Sequence, residues 1–334
     1  MSSDASQSLV EASRSPESYT IGIICALSIE KAAVEAMLDK KHPALPQPSK
    51  DENKYTFGEI GPHNAVVACL PSNLYGKASA ARVAQDMKRS FPIRLGLMVG
   101  IGGGVWSQEY DIRLGDVVVS QPEGVHGGVV QYDFGKNEAG RGFQLKGHLN
   151  SPPFELLSAL SELKSRHIME DDCLPQYLEE LGRKFPKMIK SSGYKHQGSV
   201  NDKLFRASYI HPAGQRTCDE CGTRSDQIVA RPDRPDTKPL IHYGTIASAD
   251  QVMKNGLKRD DIVKAEGVIC FEMEAAGLMN RFPCLVIRGI SDYADSHKND
   301  SWQPYAAATA AAYAKELLGV INPTAVSELP TIGK

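Results

Sequence analysis

Two acidic side chains stand where apolar runs end. Gly267-Val268-Ile269-Cys270-Phe271 leads straight into Glu272-Met273-Glu274, and Cys284-Leu285-Val286-Ile287-Arg288-Gly289-Ile290 delivers Ser291 and Asp292. Short apolar runs rich in β-branched residues and bounded by turn residues read as buried strands. In open α/β sheets ligands collect beyond the carboxyl ends of strands, so Glu274 and Asp292 are candidates to line one pocket. A carboxyl group there can move a proton, and a carboxylate can accept from two hydroxyls at once. Blander roles stand beside these. Asp292 or Ser291 can cap a following helix, and Glu272 and Glu274 can be first-turn acids that suit a helix dipole. For Glu272 the dipole role is the preferred reading of the spacing.

The elements that must hold these residues come from a chain of 334 residues, 41% hydrophobic and 23% charged, enough to bury a sizeable core. The simplest organisation is a polar tail over residues 1–18, one α/β domain over 19–322 with an insertion at about 150–238, and a mobile tail over 323–334. A formal charge of -2 gives no electrostatic footprint for nucleic acid or an anionic membrane, and neither is expected as a partner. The start MSSDASQSLVEASRSPES has no signal-peptide pattern, no apolar run has the length of a membrane span, and a cytoplasmic location is expected. Cys25, Cys69, Cys270 and Cys284 lie in apolar runs, where a reduced thiol acts as a small hydrophobe.

Tyr19 to Ala26 reads as a buried strand, followed by an amphipathic helix from Ile29 to Leu38 that Ser28 can cap and that carries Glu30 in its first turn. Tyr55 to Glu59 and Ala65 to Leu70 flank turn residues and read as a hairpin. Gly76 to Arg89 reads as a helix with small residues on its apolar face. Leu95 to Val99 is a strand running into the loop Gly100-Ile101-Gly102-Gly103-Gly104, where the backbone can approach a ligand closely or turn with positive φ. A dinucleotide site is rejected, because no helix follows these glycines and no acid ends the next strand. No cofactor is expected.

Pro153 to Leu163 and Leu174 to Phe185 read as helices, and Gly214 to Pro239 as a long irregular excursion. Cys218-Asp219-Glu220-Cys221, with His211 nearby, has half the spacing of a zinc site. No second such pair or paired histidines follow, so a reduced surface loop or a redox-sensitive pair is preferred and no metal is expected. Ile241 to Ser248 is a strand, Gln251 to Ala265 is helical, and Ala306 to Val320 is an Ala-rich closing helix.

With its elements in this order, the chain resembles the purine nucleoside and uridine phosphorylase superfamily, and most closely its methylthioadenosine/S-adenosylhomocysteine nucleosidase branch. The similarity rests on Ile21-Gly22-Ile23-Ile24 with Ala26 and Glu30, and on Gly100 to Gly104 followed by Leu114-Gly115-Asp116-Val117-Val118-Val119-Ser120. It rests also on Phe271-Glu272-Met273-Glu274-Ala275 and on Arg288-Gly289-Ile290-Ser291-Asp292. It spans about residues 19–133 and 240–320, and it extends to nucleosidase-like modules of fungal multidomain proteins. The resemblance implies an α/β fold, a three-layer α/β/α sandwich around a twisted, mostly mixed sheet, and a homo-oligomer with a dimer favoured.

It also implies roles. Asp292 protonates the departing purine at N7, a task for a carboxylic acid kept neutral in an apolar setting. Glu274 holds the ribose diol with Met273 on the sugar face, and Glu30 activates the attacking water. Val252 and Met253 wall the purine, Gly103 lies near the base, and Trp302 sits beside the 5′ substituent. Glu272 and Ser291, within the same motifs, are counted with the substrate contacts. Ile101 departs from the branch, which tends to have a serine near the nucleophilic water.

The expected activity is hydrolysis of the N-glycosidic bond of an adenine-type purine nucleoside, or a 5′-substituted one, to free base and ribose. The alternatives are a phosphate-dependent phosphorylase and a non-catalytic sensor of a nucleoside or nucleotide. Phosphorolysis is disfavoured because Ala26 to Glu30 and Met98 to Gly102 lack the two arginines and the serine that bacterial-type phosphorylases supply there. Arg82 and Lys77 are the cations that could still reach in. His297 and Lys298 could meet a 5′ phosphate but are preferred as solvated residues.

Overall fold

A computed structural model describes residues 15–140, 142–214, 218, 221, 225–298 and 300–333. Most of the tail expected over residues 1–18 lies outside them, although Pro16–Ser18 form a 3-10 turn. The chain then runs through β1 (Ile21–Cys25), α1 (Ser28–Met37), β2 (Lys40–His42), β3 (Tyr55–Ile60), β4 (His63–Cys69), α2 (Lys77–Ser90) and β5 (Leu95–Gly104). Next come β6 (Val117–Ser120), β7 (Val129–Gln131), the hairpin β8 (Gly135–Glu138) and β9 (Gly142–Leu145), α3 (Phe154–Met169), α4 (Leu174–Lys184) and α5 (Pro186–Ser191). The last part is β10 (Ile241–Ser248), α6 (Gly256–Glu266), β11 (Val268–Glu272), β12 (Cys284–Asp292), α7 (Gln303–Val320) and α8 (Pro323–Glu328).

Buried apolar side chains alternate along β1: Ile21, Ile23 and Cys25 join one cluster with α1, α3, α4 and α7, while Ile24 joins a second with α2 on the opposite face. A strand covered on both faces is largely apolar, which is why β1 reads as an unbroken run and β12 as one interrupted by Arg288 before its polar end. Helical layers on both sides of the sheet make the three-layer α/β/α sandwich. The strand order is β11-β10-β6-β12-β5-β1-β4-β3-β2, with β7 beside β10. β1, β4, β5 and β12 pair in parallel, whereas β6 with β12 and β2 with β3 are antiparallel, so the sheet is mixed.

One closure positions the site. β11 pairs in parallel with β10 and also returns antiparallel onto the far end of β5, matching Phe271 with Gly103 and Cys270 with Gly104. The sheet thereby curls, and the ends of β5, β11 and β12 meet. Gly100 to Gly104, expected as a loop, continue β5 as strand, so the correction concerns what these glycines do. A side chain at Gly100 would stand against Arg288 and Glu30, and one at Gly103 against Asp292 and Ala294. The glycines let other side chains lie over the strand rather than letting the backbone turn.

Other boundaries moved. α6 begins at Gly256, with the Asn255 side chain capping it by accepting from Lys258 N–H, later than expected. α3 and α4, within the expected insertion, bury Leu156, Leu160, Leu163, Leu174 and Leu181 in the cluster shared with α7 and so complete that helical layer. The stretch expected as a mobile tail contains α8, whose Val326 is buried, and Ile332 N–H donates to the Ile93 carbonyl at 2.7 Å. Among the described residues no helix is long and apolar enough to cross a membrane.

Candidate active site

Glu30 is placed by the start of α1. It does not point outward as a first-turn surface acid but folds back, accepting Ala26 N–H at 2.7 Å and Leu27 N–H at 2.8 Å on one oxygen and Ile101 N–H at 2.8 Å on the other. Glu30 thus takes over the capping role expected of Ser28, which is itself the first residue of the helix. A carboxylate offers about four acceptor positions, so three backbone donors leave roughly one, on Oε1. Burial pushes the Glu30 carboxyl up from its ordinary value, while Arg288 and the three N–H groups pull it down.

Arg288 is the residue that binds the acids together. It is wholly buried in the middle of β12, donates from Nη2 to Glu272, and lies 3.6 Å from Glu274. Glu272 also accepts the N–H groups of Glu274 and Ala275 at 3.0 to 3.1 Å, so its carboxylate faces Arg288 and the backbone turn. Glu274 is left with the longer ion pair and one weak donor, Gly76 N–H at 3.4 Å. Burial, and then the neighbouring Glu272 charge, push Glu274 up to about 8 against the pull of Arg288.

Asp292 departs from the apolar setting expected for it. Lys298 Nζ lies 2.5 Å from Oδ2, Ser291 Oγ donates to the same oxygen at 3.0 Å, and Ala294 N–H donates to Oδ1 at 2.9 Å. Ala294 has φ of 52°, a left-handed conformation unusual for a residue with a Cβ, and the Asp292 hydrogen bond helps to hold it. Lys298 and His297 are therefore not solvated, as had been preferred: Lys298 pairs with Asp292, and the His297 ring is buried against Phe205 with centroids 4.0 Å apart.

A cleft of about 340 Å³ collects Glu30, Ile101, Gly103, Val252, Met253, Glu272, Met273, Glu274 and Asp292. Two expected members lie elsewhere. Ser291 lines an adjoining cavity and reaches the cleft only through Asp292. Trp302 is a correction: it is buried against His196 and Tyr305, at centroid distances of 4.9 and 6.2 Å, and does not line the cleft. Gln303, its neighbour, does, as does the half-exposed Tyr75, which the sequence did not single out. Arg82 reaches Glu52 at the surface and Lys77 pairs with Asp133 and Asp250, so neither supplies the cleft with a cation. Among the described lining residues the sole cation is Lys298.

The family model of the phosphorylase superfamily matches residues 20–321. The chain belongs to the phosphorylase superfamily. Within it, the chain is 43% identical over 328 residues to a nucleotide-binding leucine-rich repeat (NLR)-like protein of Hyaloscypha variabilis, a match covering 98% of this chain and 32% of that protein. The chain therefore spans about a third of that relative's length. It is 24% identical over 311 residues to a 5′-methylthioadenosine/S-adenosylhomocysteine nucleosidase of Mycobacterium bovis, covering 90% of this chain and 96% of that one. The corresponding nucleosidase of S. pneumoniae superposes with a TM-score of 0.56 at 18% identity, covering 91% of this chain and 100% of that one. Futalosine hydrolase of Helicobacter pylori superposes with a TM-score of 0.55 at 18% identity over 90% and 97% of the two chains. At such identities the likeness is one of fold.

In this superfamily chain, sequence reasoning gives Arg288 no role of its own, Tyr75 none at all, and Lys298 a solvated place rather than its contact with Asp292. An arginine in the middle of an otherwise apolar strand was a readable signal, since a buried guanidinium requires carboxylate partners. Lys298 gave no such signal, because its contact with Asp292 depends on the path of the loop after β12.

Proposed function

We propose that this superfamily member hydrolyses the N-glycosidic bond of an adenine-type purine nucleoside, or a 5′-substituted one. The observation that carries the reading is the convergence of Glu30, Glu274 and Asp292 on one cleft whose described lining residues include no arginine. In the step, water adds to the anomeric carbon as the bond to the purine nitrogen breaks. Glu30, raised by burial and with one acceptor position open, takes the proton of that water. Glu274 accepts from the ribose hydroxyls, and Met273 lies against the sugar. Lys298 has to yield its place on Asp292 Oδ2 so that the carboxylate can take up a proton from solvent; Asp292 then delivers that proton to N7, and the proton left on Glu30 returns to solvent after the base departs. The division of labour parallels two-carboxyl glycoside hydrolysis, with one acid and one base. Val252 and Met253 flank the base, and Gly103 lets it approach Asp292.

Water rather than phosphate is the proposed nucleophile. A phosphate dianion beneath the sugar needs charged donors, yet Arg288 is already committed to Glu272 and Glu274 and lies close to Glu30. A phosphate beside Glu30 is repelled by roughly 4 kcal/mol per pair of unit charges at 4 Å and an effective dielectric of 20. A cytoplasmic homodimer belongs to the same proposal; the exposed Leu74 and Tyr75 beside the cleft are where a second copy would pack.

The Asp292–Lys298 pair favours a second reading. A site whose acid is already paired can recognise a nucleoside without turning it over, and the NLR-like relative is a setting for such a sensor. Incubation with purine nucleosides and nucleotides, with and without phosphate, followed by chromatography of base and sugar decides among the three. Free base and free ribose in phosphate-free buffer support hydrolysis, and ribose 1-phosphate formed only with phosphate refutes it. A ligand-induced rise in melting temperature with no base released establishes the sensor.

A further inference from the structure

The irregular segment from Ser199 to Leu240 meets the loop after β12. Asp202 and Arg231 hold the Tyr293 hydroxyl, each at 2.5 Å, and Arg234 clamps both oxygens of Asp116 at 2.7 Å. Between these anchors the fold gathers the two cysteines with a histidine. Ligand atoms of His211, Cys218 and Cys221 all lie within 4.8 Å of one another, and Cys221 is buried. Both cysteines are thiols, not a disulfide. His211 Nδ1 lies 3.1 Å from the Pro212 carbonyl, and in the tautomer that donates there Nε2 carries the lone pair a metal would take. That second contact is the usual way a ligating imidazole is held in one tautomer.

A fourth group points to the same place. His297 is 6% exposed, and both its ring nitrogens are buried without a hydrogen-bond partner; Asp295 is 3.9 Å from Nδ1, beyond hydrogen-bonding reach. Its ring centroid is 5.4 Å from that of His211, and Cys218 Sγ lies 3.4 Å from its carbonyl oxygen. A buried imidazole with two unmet nitrogens is costly unless something binds it.

We propose that His211, Cys218, Cys221 and His297 bind one zinc ion, which fastens the irregular segment to the loop after β12. Two thiolates and two neutral imidazoles cancel the charge of Zn²⁺, so the completed site is neutral and tolerates burial. Tetrahedral zinc, with bonds of roughly 2.3 Å to sulfur and about 2.0 Å to nitrogen, sets ligand atoms about 3.3 to 3.8 Å apart, so the three ligands already within 4.8 Å of one another need only small movements, and the His297 ring has to turn toward them to complete the set. Each thiol gives up its proton on binding. Because His297 is next to Lys298, the ion would fix the stretch that places Lys298 on Asp292. The role is structural, and it holds whether or not the cleft is catalytic.

The test uses the untagged full chain, purified in reducing buffer from zinc-supplemented medium, with metal measured by mass spectrometry. One zinc per chain is expected. After chelation, Co²⁺ should bind with the visible d–d bands of a tetrahedral site and near-ultraviolet thiolate charge transfer. Joint Cys218→Ser and Cys221→Ser substitution should remove both signals. His297→Ala should keep the thiolate band, alter the d–d bands, and weaken zinc by on the order of tenfold or more in competition with a chromophoric chelator. Chelation of the unsubstituted chain should lower the melting temperature and speed amide exchange in residues 293–298. The proposal is overturned by a reduced protein that takes up neither zinc nor Co²⁺, or by a Cys218–Cys221 disulfide as the stable form. An unchanged Co²⁺ spectrum in His297→Ala removes His297 from the ligand set and with it the link to the loop.

Discussion

Glu274 makes the sharpest demand on the proposed site, because in the empty cleft its carboxyl is held up to about 8. A ribose diol donates two hydrogen bonds and so binds the ionised form. Hydrogen bonds to a charged acceptor contribute roughly 1.5 to 3 kcal/mol each, so two of them shift the bound carboxyl down by about 2 to 4 pH units, at 1.36 kcal/mol per unit. Between the bound and empty values, binding expels one proton. Affinity therefore falls by about tenfold for each unit of pH below 8, and by on the order of 100-fold at pH 6. The assay is calorimetric titration with a purine C-nucleoside, whose carbon–carbon glycosidic bond survives, in buffers of different ionisation enthalpy. Glu274→Gln should bind weakly and lose the pH slope. Affinity that is flat from pH 6 to 8 with no proton exchanged refutes the assignment, as does a slope that persists in the glutamine variant.

The same shift governs stability without ligand. The folded carboxyl holds its proton from the ordinary value near 4.5 up to about 8, while the unfolded one releases it, so the unliganded protein loses stability as pH rises through that window. Glu274→Gln should flatten this loss, melting above the parent at pH 8 and close to it at pH 4.5. A variant that melts below the parent at pH 8 shows instead that the Glu274 charge holds Arg288 in place.

Asp292→Asn should retain the fold and lose purine release by about 100-fold or more, read by chromatography of free base; near-parental turnover makes Asp292 a turn residue that holds Ala294. Gly100→Ala would set a methyl group 2.5 Å from Glu30 Oε1 and against Arg288, so it should cost roughly 1 to 3 kcal/mol in denaturant melts and abolish turnover. Trp302→Phe should leave the preference among 5′ substituents unchanged, since the indole is buried away from the cleft and its Nε1 has no partner. A changed preference would return Trp302 to the site.

What the sequence made legible was whatever a strand end fixes locally. The runs before Glu272 and Asp292 are apolar because both faces of β11 and β12 are covered, and chain continuity alone puts the acids at the carboxyl ends. Glu30 was named from its motif, whereas spacing alone put it only in the first turn of a helix; its inward turn depends on Ile101 N–H, supplied from a different strand. What stayed hidden depended on closure. Glycines carry no side-chain signal that separates a strand from a loop, so β5 was cut short at Val99, and the pairing of Phe271 with Gly103 could not be read.

That pairing accounts for the charge arrangement of the site. It brings Glu272 and Glu274 against β12, where Arg288 is the one guanidinium among three buried carboxyls. Glu272 takes the short contact and two backbone donors, which leaves Glu274 the least satisfied acid of the group, held up to about 8 by burial and by the neighbouring Glu272 charge. A buried site that commits its arginine to one carboxylate leaves the next short of partners, and the donors that Glu274 lacks are those a ribose diol brings. Under the proposed function, the cost of holding this acid in the empty fold is recovered on binding, and specificity for a vicinal diol would lie in the pairing of Arg288 with Glu272 as much as in Glu274 itself.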